Sequence, residues 1–172
     1  HCIKTPHNFL FSLDQHTLYN ITFNPSSQHQ IYYTLSLHTL TMNRVALAFS
    51  GGLDTTVCVS LLKDEYGYDD VIGITVNVGQ PKDEFEQAIE TADALSLELH
   101  IIDATENFAN LCLDSVRANA TYQGYPLGTA LARPIIANSI LETAQQNDCK
   151  ALAHGCTGKG NDQLRFEAIW RG

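Results

Sequence analysis

Ser50-Gly51-Gly52-Leu53-Asp54-Thr55-Thr56 brings together three hydroxyls, two adjacent glycines and one carboxylate within seven residues. Paired glycines let a backbone turn sharply and carry bare N–H groups up to phosphate oxygens. A helix starting near Asp54 adds its unpaired N–H groups and the positive end of its dipole. Ser50, Thr55 and Thr56 offer hydroxyl donors. Asp54 is the odd member, since a carboxylate facing pyrophosphate repels it unless a cation stands between them. A Mg²⁺ shared by carboxylate and phosphates resolves that conflict. The competing reading is an Asp that merely caps the helix. The pattern is neither G-x-x-x-x-G-K-[ST] nor the dinucleotide G-x-G-x-x-G.

A second stretch, from Ala153-His154-Gly155-Cys156-Thr157-Gly158-Lys159-Gly160 through Asn161-Asp162-Gln163-Leu164-Arg165-Phe166-Glu167, carries complementary chemistry. Its glycines allow close backbone approach to a nucleotide. Lys159 is a point charge suited to phosphate, the alternative being a solvated surface lysine. Asn161 and Arg165 are four apart and share one side of a helix start. Asp162 can receive an ammonium group, while Asn161 and Arg165 can hold a carboxylate; an ordinary solvated helix end is the alternative. Cys156 has no general base among its neighbours and is not proposed as a nucleophile.

The elements that must position these residues are legible from Met42 onward. Val45 to Phe49 is an apolar run suited to a buried parallel strand, and Val57, Cys58, Leu61 and Leu62 then recur at helical spacing. Val71 to Val76 reads as a second strand. Asp83 resembles an N-cap with Glu86 at N3, ahead of a helix face formed by Phe85, Ala88, Ile89, Ala92 and Leu95. Leu97 to Ile102 is a third strand, followed by a helix through Phe108, Leu111 and Cys112. A longer helix is expected from about Ala130 to Gln146, with Ile135, Ile136 and Ile140 inward and Pro134 in its first turn. Ala151 to His154 is a fourth strand. Such alternation calls for an α/β fold with a doubly wound parallel sheet, which places both chemical stretches at its carboxyl edge.

The 172 residues suffice for one domain with a real core. Net charge is −9, which argues against a broad grip on nucleic acid but not against a local phosphate nest. No run approaches the roughly 20 apolar residues of a membrane span, so a soluble protein is expected. Five cysteines without a CxxC pair indicate neither a disulfide framework nor a zinc site. Residues 1–41 differ in texture: they hold five of the seven histidines, two charged residues, and neither glycine nor alanine. They lack the features of a secretory or mitochondrial signal, and Tyr32 to Leu35 is at most one weak strand. This stretch is expected to lie outside the fold, with Met42 as a natural start.

The turn at 50–56 resembles the SGG-x-D-[ST] loop of the PP-loop, or N-type, ATP pyrophosphatases. Tyr125-Pro126-Leu127-Gly128-Thr129-Ala130-Leu131-Ala132-Arg133-Pro134, the 153–167 stretch and Asn77-Val78-Gly79-Gln80 narrow the resemblance to the argininosuccinate synthase family, in an archaeal-like version. The resemblance implies a Rossmann-like, adenine nucleotide alpha hydrolase-like fold. It also implies an ATP-dependent, Mg²⁺-requiring ligation: the ureido oxygen of L-citrulline is adenylated with release of pyrophosphate, and the amine of L-aspartate displaces AMP to give argininosuccinate. By motif match, Ala48, Phe49, Ser50, Gly51, Gly52, Leu53, Asp54, Thr55, Thr56, Val76 and Gly155 would contact ATP. Tyr125, Asn161 and Arg165 would contact citrulline, and Thr157, Asn161 and Asp162 would contact aspartate. Asp54, with a pyrophosphate-bound Mg²⁺, and Lys159 would carry the catalytic charge. A cytoplasmic enzyme of arginine biosynthesis, homotetrameric at full length and without nucleic-acid or membrane partners, is the implied setting. Ala130 stands where many members have a serine, Val76 where an alanine is frequent, and Thr56 where a serine is frequent. Family members are longer, so this chain is expected to be an N-terminal part without the synthetase domain, incomplete at its C-terminal side and inactive alone. The other readings are a bare ATP-binding module and a different PP-loop ligase, such as a tRNA-thiolating enzyme.

Overall fold

The computed structural model describes residues 9–12, 43–156 and 160–171. In chain order these form β1 (Phe9–Ser12), β2 (Arg44–Ala48), α1 (Leu53–Asp64), β3 (Asp70–Asn77), α2 (Lys82–Ala94), β4 (Glu98–Asp103), α3 (Thr105–Arg117), β5 (Thr121–Tyr122), β6 (Tyr125–Pro126), α4 (Gly128–Gln146), β7 (Ala151–His154) and α5 (Asn161–Trp170). The main sheet runs β1-β7-β2-β3-β4. The pairs β2–β3, β2–β7 and β3–β4 are parallel. β1 pairs antiparallel with β7, Phe9 opposite His154 and Ser12 opposite Ala151. This strand is the part of residues 1–41 that the structure describes; Tyr32 to Leu35 lies outside the described residues.

Strand side chains alternate, and each face of the sheet has its own core. Ala46, Ile72, Ile74 and Leu152 pack with Ala137, Ile140 and Ala144 of α4 and Phe166 of α5. On the opposite face, Val45, Leu47, Val71 and Ala153 pack with Cys58, Val59 and Leu62 of α1 and Ala92 of α2. Leu47, Ile72 and Leu152 are fully buried, and each such side chain contributes about 1.5–3 kcal/mol of hydrophobic stabilisation. Continuous apolar runs rather than alternating ones are what a strand covered on both faces requires. The observed fold is therefore the doubly wound sheet, parallel through β7-β2-β3-β4 with β1 antiparallel at its edge.

Two helix starts differ from the sequence expectation. α2 begins at Lys82 after Pro81, which takes the N-cap place with no side-chain cap. Asp83 lies inside the first turn, where its charge meets the positive helix end without capping it. The reason is local: Gln80 closes the preceding turn by accepting from Val78 N–H at 2.8 Å and donating to Val76 O at 3.0 Å. Proline then presets the helical entry. α4 begins at Gly128, so Pro134 sits inside the helix rather than in its first turn. Ile140 is buried there while Ile135 and Ile136 are half-buried, and Ile89 of α2 is exposed.

Candidate functional site

β2 and β7 are neighbours in the sheet although four helices and two strands of the main sheet intervene between them in sequence. Their last residues, Ala48 and His154, pair directly. The segments leaving them diverge at the point where strand order reverses, which is where open α/β sheets bind ligands. The loop after β2 is held on three sides. Phe49 N–H donates to Ile74 O at 3.0 Å, and the buried Thr75 hydroxyl donates to Phe49 O at 2.6 Å. Gly51 adopts φ +74°, and a Cβ there would lie 2.6 Å from the Cα of Ala88, so only glycine fits between the turn and α2. The Thr91 hydroxyl reaches Gly51 O at 3.3 Å.

Gly52 caps α1 through its backbone. Its carbonyl accepts from the Thr55 hydroxyl at 3.0 Å, the Thr56 hydroxyl at 2.9 Å and the Thr56 N–H at 3.0 Å. Both threonine hydroxyls are thus engaged with the turn itself, and a phosphate would meet chiefly backbone N–H groups, the helix end and Ser50. Gly155 leaves β7 against the start of α1: a Cβ there would stand 3.1 Å from Thr55 Cγ2 and 3.4 Å from Thr55 N. The two segments that carry the chemistry are therefore in contact.

Between them lies a cleft of about 460 Å³. Of the expected ATP contacts, Ala48, Phe49, Ser50, Gly52, Leu53, Asp54, Thr55, Val76 and Gly155 line it. Gly51 is turned against α2, and Thr56 does not line the cleft. Asp162 lines it too, at the start of α5. Arg165, one helical turn on, reaches the carboxylate of Asp162 at 2.8 Å. Asn161 is exposed at the first position of α5, and Tyr125 is exposed on the β5–β6 hairpin; neither lines the cleft. Thr157 and Lys159 lie outside the described residues.

The 125–134 motif contains Arg133, to which the sequence alone attaches no role. It projects from α4 into the same cleft and pairs with Asp162, Nε to Oδ2, at 3.1 Å. Its signal was a charged residue inside an otherwise apolar helical stretch. Phe85 and Glu84 of α2 also line the cleft, a wall whose position depends on how α2 packs on the sheet. His154 is buried, with its ring centroid 5.7 Å from those of both Phe166 and Trp170. Burial holds its pKa down to about 4 against the opposing pull of Glu167, and its Nδ1 accepts the Cys156 N–H at 3.2 Å. The Cys156 thiol is raised above its ordinary pKa, first by burial and then by Asp162, with Arg133 acting the other way. Such a thiol is a poor nucleophile at neutral pH.

Among the described residues, no three His, Cys, Asp or Glu side chains cluster as a metal site, and no helix is long and apolar enough to cross a membrane. Asp54 offers one carboxylate at the cleft wall. A single carboxylate completed by phosphate oxygens and water suits Mg²⁺, which rarely occupies an all-protein cage.

The sequence model of the arginosuccinate synthase N-terminal HUP domain matches residues 44–172. The chain is 76% identical over 130 residues to an argininosuccinate synthase of Haloquadratum walsbyi, covering 76% of this chain and 33% of that protein. It is 56% identical over 131 residues to that of Methanopyrus kandleri, covering 76% and 33%. The chain spans about a third of the length of these curated relatives. Among solved structures, an NMN synthetase from Francisella tularensis superposes with TM-score 0.50 at 16% identity, over 76% of this chain and 62% of that one. A glutamine-dependent NAD+ synthetase from Acinetobacter baumannii gives 0.51 at 14% identity, over 61% and 20%. These two likenesses speak to the fold alone. With the glycine turn, the Gly155 crossing and the Arg133–Asp162 pair at one cleft, the match over residues 44–172 shows that the chain belongs to the argininosuccinate synthase family, of which it carries the N-terminal HUP domain.

Proposed function

We propose that this domain binds and activates ATP for argininosuccinate synthesis, within a polypeptide that also carries the remaining two-thirds of its relatives' length. The observation that carries the reading is the meeting of the Ser50–Thr55 turn with Gly155 at the mouth of a cleft that also holds Asp162. The turn and the start of α1 would hold the β- and γ-phosphates, and Val76 would lie beside the adenine. Asp162 would take the ammonium of aspartate, with Thr157 and Asn161 beside it; Tyr125, Asn161 and Arg165 would contact citrulline. Asp54 would hold Mg²⁺ against the pyrophosphate, and Lys159 would add a phosphate contact. When bound, Mg²⁺ neutralises charge on the departing pyrophosphate.

The citrulline ureido oxygen attacks the α-phosphorus and pyrophosphate leaves; the aspartate amine then attacks the activated carbon and AMP leaves. No side chain forms a covalent bond, in keeping with the raised thiol of Cys156. The protein's share is orientation and charge stabilisation. A cytoplasmic homotetramer is the setting proposed for the longer polypeptide. The test is Asp54→Ala in a full-length synthase bearing this domain. Citrulline-dependent AMP formation should fall at least about a hundredfold, the size of losing one preorganised charge contact, with thermal unfolding unchanged. Undiminished AMP formation would refute the role given to Asp54.

A further inference from the structure

The main sheet winds by one rule. β2–α1–β3 and β3–α2–β4 each step one strand outward, with α1 and α2 on the face of Val45 and Leu47. The chain then returns over the opposite face with α4, past β3 and β2, and enters β7. Changing face and direction together keeps every crossover the same hand, as parallel sheets require. α5 lies on the α4 face too: Phe166 belongs to that core, and Trp170 Nε1 donates to Ala137 O at 2.9 Å. A connection of the same hand through α5 therefore delivers a next strand outside β7, parallel to it. Phe9–Ser12 holds that place, antiparallel. We propose that β1 is an exchangeable cover for the β7 edge, displaced in the longer polypeptide by the first strand after α5, which joins the domain to the rest of the synthase. This rests on the reading that the domain works within a longer synthase polypeptide.

β1 lies outside the family match, which begins at residue 44 and runs through α5 to residue 172. That N-terminal match covers 33% of the Haloquadratum walsbyi relative, so the family builds its sheet without β1 and has more chain to place beyond α5. The edge needs a cover in either case. Ala151–His154 are all buried, and their outward N–H and C=O groups require partners. Phe-Leu-Phe-Ser is uncharged and rich in strand formers, which suits it to that edge. At four residues it is also short, so little pairing is lost when it leaves. Each single-helix connection in this sheet steps to the adjacent strand, so α5 aims at the immediate neighbour of β7 and not at a place beyond β1. Direction decides what each occupant does. Ser12 stands opposite Ala151, at the edge where β2 begins, so the chain following β1 leaves away from the cleft. A parallel strand would end opposite His154 and send the chain that follows it to the cleft side, where the loops of such sheets carry ligand-binding groups. The exchange thus brings residues of the rest of the polypeptide to the cleft.

The experiment is amide hydrogen exchange, read by mass spectrometry, on two proteins: the 172-residue chain, and a full-length synthase in which it is followed by the remaining residues of the Haloquadratum walsbyi protein. In the 172-residue chain, Phe9–Ser12 should exchange at least about tenfold more slowly than a free peptide of that sequence. In the full-length protein that protection should vanish while Ala151–His154 stays protected. Protection of Phe9–Ser12 in both proteins, or in neither, would overturn the proposal. So would loss of protection at Ala151–His154 in the full-length protein, since no strand would then have taken the edge. Leu10→Pro/Phe11→Pro gives a second measurement. A strand turns alternate N–H groups toward its neighbour, so consecutive prolines remove at least one donor to β7. The thermal midpoint of the 172-residue chain should fall by about 4 °C, and that of the full-length protein should not move. A fall in the full-length protein, or none in the 172-residue chain, would overturn the proposal. Citrulline-dependent AMP formation by the full-length protein separates the two readings. Its absence beside the expected exchange pattern would overturn the functional reading and leave the strand exchange standing; its presence beside a protected Phe9–Ser12 would do the reverse.

Discussion

His154 shows how one side chain serves both stability and the site. It ends β7, lies buried against Phe166 and Trp170, and fixes the Cys156 peptide as the chain turns into the cleft. Burial depresses its pKa to about 4, while the unfolded chain titrates it near 6.5. The contribution of the neutral ring is therefore complete above about pH 6.5. It falls as pH drops toward 4, because the unfolded state takes up the proton first. The loss amounts to about 3 kcal/mol over that interval. Urea unfolding of the parent and of His154→Asn at pH 7 and pH 4 should show a shallower pH dependence in the variant by roughly that amount; parallel curves would remove His154 as the cause. The shift was not legible in the sequence, because the aromatic rings that desolvate the imidazole come from α5, outside the strand that carries it.

At the scale of elements, the phosphate loop is shaped by its neighbours as much as by its own residues. β3 holds Phe49 O through the Thr75 hydroxyl, and α2 presses Ala88 against Gly51. Gly51→Ala should therefore cost about 3 kcal/mol in urea unfolding, combining a left-handed conformation with an overpacked contact to backbone. A loss below about 0.5 kcal/mol would mean that α2 gives way. The turn was legible in the sequence as a glycine pair between strand and helix. Its packing on α2 was not, because the two meet across 37 residues of chain. The same limit applies to Arg133 and Asp162: the motifs named both, but pairing them required α4 and α5 to lie side by side.

At the scale of the whole molecule, net charge dominates. Nineteen acidic residues face ten basic ones, so the folded chain repels itself more than its ion pairs attract. Raising KCl from about 0.01 to 1 M shortens the Debye length from about 30 to 3 Å and should raise the thermal midpoint by about 5 °C, a shift equivalent to roughly 1 kcal/mol. Weaker ion pairs, such as Arg44–Asp70 at 2.6 Å, offset part of that gain. A midpoint that falls with KCl would show attractive pairs to be the larger contribution, measured by circular dichroism on melting.

The alternation of apolar strands with helical periods, and the placement of the glycine turn after the first strand of that alternation, followed from the sequence because both are local patterns of polarity and backbone freedom. The family resemblance followed too, since it lives in contiguous motifs. Tertiary structure decided what depends on distance through space: the adjacency of β2 and β7, the antiparallel seat of Phe9–Ser12 on β7, and the sharing of Asp162 between two arginines. It also decided that the Thr55 and Thr56 hydroxyls close the turn on Gly52, which a motif read as phosphate donors does not reveal. Hydrogen-bond partners and desolvation are set by what packs alongside, and a linear pattern carries that only after the sheet has chosen its order.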